Sequence, residues 1–214
     1  MKSNVHANAV CLNTGVWLSC LLALLLVTAA QPPGALAQDG ARVKPANLAQ
    51  LVDHSGLIVR GRVLSVTAEK HPQLTNLDTV VVTLRVSEVL KGQAGTEYTF
   101  REYVWGAREP KSTLGYRVGQ DLLLMLGPPS RYGLSSPVGL AQGRFRIERD
   151  PQGNETAVNG RSNSGLMTGV EAAVPQLTEK ISASARTVAK QHQLGPIDYS
   201  VFKDLIRGIL AARQ

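Results

Sequence analysis

The chain has 214 residues, with 23 Lys and Arg against 16 Asp and Glu for a net charge of +7, 43% apolar residues and two cysteines. Both cysteines, Cys11 and Cys20, fall in the first 37 residues, which read as a removable leader. The remainder is then thiol-free, which excludes disulfides, thiolate catalysis and cysteine-ligated zinc together. Positive charge is spread in alternating runs such as Arg144-Phe145-Arg146, as general solubility or an acidic partner would require.

The leader has the order of a secretory signal peptide: Lys2, an apolar run over residues 16–30, a Gln31-Pro32-Pro33-Gly34 break, then Ala35-Leu36-Ala37. Small residues at −3 and −1 suit a signal peptidase, so cleavage is expected between Ala37 and Gln38, with a periplasmic or secreted destination. The apolar run is shorter than the ~20 residues a membrane span needs, so no transmembrane helix is expected in the mature chain. Lipidation at Cys20 is opposed by the bulky Trp17-Leu18-Ser19 before it and by the ten apolar-run residues after it. Removing residues 1–37 takes away one lysine and no acid, leaving 22 basic against 16 acidic residues, a net +6.

Residues 45–53 predict a short helix with Leu48, Leu51 and Val52 on one face, ended by Ser55-Gly56. Residues 57–67 predict a strand in which Arg60 and Arg62 alternate with Val59 and Val63. The apolar phase then moves to Leu64 and Val66, the sign of a bulge or of a strand buried on both faces at that end. Residues 79–90 carry the clearest period of two: Val80, Val82, Leu84 and Val86 on one face, Thr83, Arg85 and Ser87 on the other. Residues 96–105 alternate again, with Tyr98 and Phe100 on one side, before a long loop over residues 106–120. The DLLLML run at 121–126 has the length of a strand and no polar face, which predicts a central strand covered on both sides. Residues 143–149 and 156–158 flank a turn over residues 150–154 and read as a hairpin.

Residues 38–165 are therefore expected to form one β domain, a small antiparallel OB-like barrel of five or six strands. Closure is the simplest way to remove exposed sheet edges. Residues 166–196 are rich in Ala and Ser and read as a linker or a loose helix, with Leu177, Ile181 and Val188 on one side. Residues 197–214 read as an amphipathic docking helix. Asp198 is placed as its N-cap, and Ile197 and Phe202 as the two ends of a hydrophobic staple.

Three segments carry a family resemblance: Leu57-Ile58-Val59-Arg60-Gly61-Arg62-Val63, the valine-rich strand that ends in Lys91-Gly92, and YRVGQDLLLML at 116–126. They resemble landmarks of netrin-module and TIMP-like OB barrels. The chain is similar, too, to a group of exported bacterial proteins of unassigned activity that share the Gly143 to Asp150 type of hairpin. The resemblance implies the fold alone. TIMP-type inhibition uses an N-terminal cysteine on the protease's zinc, and the mature chain has no cysteine.

No catalytic or metal-binding constellation stands out, and no cofactor fingerprint occurs. His54, His71 and His192 never stand at i, i+4. Ser200 and Lys203 have the Ser-x-x-Lys spacing, but the Ser-Asp-Asn and Lys-Thr-Gly partners of that class are missing. Glu88, Glu97, Glu102 and Glu109 are the candidates for a carboxylate pair, which would make the protein a small cell-envelope hydrolase. The reading preferred over it is a non-enzymatic binding or accessory module. Arg60, Arg62, Arg85, Arg101, Arg144 and Arg146 occupy solvent-phase strand positions and, with Tyr98 and Phe100 nearby, could form a basic face for an anionic ligand. A strand edge could instead take an exported protein partner. The leader argues against nucleic acid.

Overall fold

The computed structural model describes residues 43–104 and 113–214. The leader, its cysteines, Glu109 and most of the first half of the 106–120 loop lie outside the described residues. Among those described, no helix is long and apolar enough to cross a membrane.

The protein is mainly β. Seven strands form one antiparallel sheet: β1 (Leu57–Lys70), β2 (Asp78–Lys91), β3 (Glu97–Tyr103), β4 (Asp121–Leu126), β5 (Arg144–Arg149), β6 (Glu155–Asn159) and β7 (Ile197–Asp198), in the order β3-β2-β1-β4-β5-β6-β7. The sheet is open, with β3 and β7 at its ends. Two isolated bridges, Arg101 with Leu134 and Leu126 with Pro137, fasten the segment after β4 to the β3 edge and to β4 without building a closing ladder. The expected five- or six-stranded closed barrel is not what the strands form. Loop cover at β3 and a helical layer over one face supply the protection that closure would give.

β4 is the central strand the DLLLML run predicts, lying between β1 and β5. Leu122, Leu124 and Leu126 enter one core with Val59, Val63, Val80, Val82, Leu84, Phe100 and Tyr116. Leu123 and Met125 enter the other, with Ile58, Phe145 and the helices. A strand buried on both faces has no polar phase to keep, which accounts for its unbroken apolar sequence.

The long β1–β2 hairpin shifts register between Ile58 and Val59, between Arg60 and Gly61, and between Val63 and Ser65. The last shift is the bulge read from the sequence. At Gly61 a Cβ would lie 2.6 Å from the Arg85 carbonyl oxygen, so only glycine lets the two backbones approach there.

The helical layer starts with α1 (Leu48–His54). Asn47 caps it, accepting from the Gln50 N–H at 3.0 Å while the Gln50 side chain accepts from the Asn47 N–H. Residues 166–196, expected as a linker or loose helix, form three short helices: α2 (Val170–Ala173), α3 (Leu177–Lys180) and α4 (Ala183–Gln191). Leu166, Met167, Val170, Val174, Leu177 and Ala185 are buried in the same core as α1 and the sheet. Buried Asn159 and Asn163 tie the layer to the strands: each backbone N–H donates to the other's side-chain oxygen at 2.9 Å. Asn163 Nδ2 also donates to the carbonyls of Ala157 and Gly195.

α5 (Tyr199–Ala211) is the docking helix, capped by Asp198 accepting from the Val201 N–H at 3.0 Å. Ile197 and Phe202 are both buried, and the Phe202 ring lies 4.7 Å from that of Phe145 on β5. α5 packs on β6 and β7, and Tyr199 at its start reaches Arg60 of β1.

A basic groove between the sheet and the C-terminal helix

Arg60 pairs in register with Leu123 of β4 and so points to the face the helices cover. A guanidinium there needs partners, and the neighbouring strands begin with them. Asp121, the residue before the β4 apolar run, accepts from Nη2 at 2.6 Å and from Nε at 3.2 Å. Glu155, the first residue of β6, accepts from Nη1 at 2.7 Å and Nη2 at 2.8 Å. The Tyr199 ring of α5 lies 4.4 Å from the guanidinium carbon. Two bidentate carboxylates and an aromatic face hold a side chain that is only 13% exposed.

Titration follows this geometry. Hydrogen bonds from Arg60, and secondarily from Arg149, pull the Glu155 carboxyl down to about 2. Hydrogen bonds to Glu155 and Asp121 raise Arg60 above its ordinary value. Burial raises the Tyr199 hydroxyl, reinforced by its bond to Glu88. A carboxyl held so low is an unsuited general acid, a role that needs a raised value. The cluster fixes charge in place.

Glu88 of β2 is the anchor on the helix side. It accepts from the Tyr199 hydroxyl at 2.9 Å and pairs with Lys203 at 3.2 Å and Arg207 at 3.0 Å. Every acid around Arg60 is thus engaged. Among the described residues, Arg62 and Arg85 are the two cations of this cluster that form no ion pair. They sit directly opposite each other across β1 and β2, and both are exposed. Asp121, opposite Arg62 on β4, is turned to Arg60, and Glu97, opposite Arg85 on β3, forms no ion pair with it. Facing like charges oppose strand pairing.

These residues line a groove of about 670 Å³ that contains Arg60, Arg62, Arg85, Glu88, Asp121 and Lys203. A second groove of about 360 Å³ shares Arg62, Asp121, Arg149 and Glu155 with it and reaches Ile147 on β5.

Of the six arginines singled out in the sequence, the fold gathers Arg60, Arg62 and Arg85. Arg101 donates to Thr79 and pairs with Glu69 at 2.7 Å. Arg144 donates to the Leu114 carbonyl at 2.7 Å and lies over the Tyr116 ring, holding the segment before β4. Arg146 pairs with Glu148 and is in register with Leu122, on the sheet face opposite Arg60. Phe100 is a core residue, stacked with the half-buried Tyr98 and edge-on to Tyr116, and neither Tyr98 nor Phe100 lines the groove. Sequence reasoning passed over Asp121, Glu155 and Tyr199, and met Lys203 only through the Ser-x-x-Lys spacing. The one local signal was an acid abutting each apolar or β-rich segment.

The other candidates are dispersed. Glu88 faces α5, whereas Glu102 is buried on the other side of the sheet, accepting from the Tyr116 hydroxyl at 2.7 Å. His71 is buried, accepting the Gln73 and Leu74 N–H groups at Nδ1 and facing the Tyr132 carbonyl with Nε2. His54 bonds the Gln50 carbonyl at its helix end, and His192 lines a separate groove beside α4. The Ser200 hydroxyl is engaged by Asp198 and Lys203 by Glu88. Among the described residues, no three His, Cys, Asp or Glu side chains gather as a metal centre. No family model, curated protein or solved structure matches the chain.

Proposed function

We propose that the protein is an exported, non-enzymatic binding module that holds an anionic ligand in the groove between β1, β2 and α5. The carrying observation is the facing pair Arg62 and Arg85, exposed and, among the described residues, without an acidic partner, on a base whose acids are all engaged by other cations. Strand pairing is weakened by such a pair unless an anion sits between the two, so the site is completed by negative charge. Export rests on the leader at residues 1–37. An OB-like origin for the β1–β4 half is supported by the bulged β1, by the bridges at Leu134 and Pro137, and by the netrin-like segments.

Binding of heparin, as a generic anionic probe, tests this reading. Replacing Arg62 and Arg85 together by Glu is expected to weaken binding at least tenfold at low salt, with an unchanged melting temperature. The charge-matched double variant R146E/R186E, away from the groove, is expected to bind like the native protein. Equal losses from both double variants would refute the groove as the site.

A further inference from the structure

We infer that the ligand is a linear polyanion lying across the strands, with at least three charges, rather than a single compact anion. This rests on the groove being the binding site and goes further by naming the shape of its ligand. The unneutralised charge is distributed, not focused. Arg85 on β2 and Arg62 on β1 contribute two positive charges. On α5, Lys203 and Arg207 share the single carboxylate of Glu88 and leave about one more. Arg60 and Arg149, by contrast, are balanced by Asp121 and Glu155.

One phosphate-sized anion can bridge Arg62 and Arg85 but leaves the α5 surplus unanswered. The two grooves share Arg62, Asp121, Arg149 and Glu155, so the open path continues from β2 past β1 and β4 to β5. At ~4.8 Å per strand that path is roughly 14 Å long, the reach of a short charged chain and not of one anion.

The lining also narrows the chemistry. Among the described residues, no aromatic side chain lines either groove. A single-stranded nucleic acid is usually held by base stacking on aromatic rings as well as by charge, and that element is missing here. A chain that offers charge alone fits: a phosphate polymer or an acidic glycan.

The experiment titrates the purified protein, at one fixed salt concentration, with orthophosphate, tripolyphosphate, long-chain polyphosphate and polygalacturonate. Affinity is expected to rise at least tenfold from orthophosphate to tripolyphosphate, and then to level once the chain spans the path. The K203Q/R207Q variant is expected to lose affinity for the long chains by a several-fold larger factor than for orthophosphate. Tight binding of either long chain supports the inference, and the tighter one names the source. Equal affinity for orthophosphate and the long chains would overturn the polyanion while leaving an anion site in place. No binding of any of the four would overturn both.

Discussion

Arg60 organises the groove because a guanidinium on a helix-covered face must be surrounded, and its two carboxylates come from β4, which pairs with β1, and from β6, two strands beyond β4. Glu155 carries the clearest consequence. Its carboxyl, at about 2 in the folded chain against an ordinary 4.5, is depressed, so its stabilisation is complete above pH 4.5 and is lost as pH falls through about 2. Glu155→Gln is expected to lower stability at pH 7 by roughly 2 kcal/mol, less than a fully buried pair because the carboxylate is partly solvated. It should also flatten the acid limb between pH 4.5 and 2, which urea titrations at several pH values would measure. Gly61 sets the other residue-level condition. A Cβ there meets backbone, which cannot swing aside, so Gly61→Ala should cost about 1–3 kcal/mol and spread the Arg62–Arg85 pair. Chemical denaturation and heparin affinity should fall together. An Ala variant of native stability would remove the close-approach account.

At the scale of elements, α5 shows tertiary contact overruling local propensity. Gly208 sits within a thirteen-residue helix, where Ala is ordinarily favoured by ~1 kcal/mol. A Cβ at that position would lie 2.2 Å from Ile181 Cγ2 and 3.1 Å from Leu177 Cδ1, so α5 meets the α3–α4 connection without room for a methyl. Gly208→Ala is therefore expected to lower the melting temperature instead of raising it, with a net loss of about 1–2 kcal/mol after the propensity gain is offset. Calorimetry decides the sign. The short helices between residues 170 and 191 follow the same logic. They are too brief to stand alone and hold their shape through buried Val170, Leu177 and Ala185.

For the whole molecule, one sheet serves two cores, and neither face is dispensable. One face gathers around Tyr116 and Leu124; the other depends on residues 166–211 to cover Ile58, Leu123, Met125 and Phe145. A chain ending at Asn159 would expose those four side chains as a contiguous apolar patch. It is expected to bind a hydrophobic dye and to melt without a cooperative transition. A sharp native-like melt would mean that the core around Tyr116 and Leu124 folds by itself.

The strands and the terminal helix were legible along the chain because alternation in β2, the apolar run of β4 and the staple around Asp198 are local patterns, complete within a dozen residues. The role of residues 166–196 was not legible, since alanines and four-residue helices leave too little periodicity to distinguish a packed layer from a tether. The arginines divide in the same way. Alternation placed all six at solvent-phase positions, yet it could not say which share a face. The bulged register of β1 on β2, and acids 61 and 95 residues beyond Arg60, determine that Arg60 is enclosed while Arg62 and Arg85 stand unpaired. Whether a charge is neutralised depends on neighbours across strands, and those neighbours exist only once the sheet has formed.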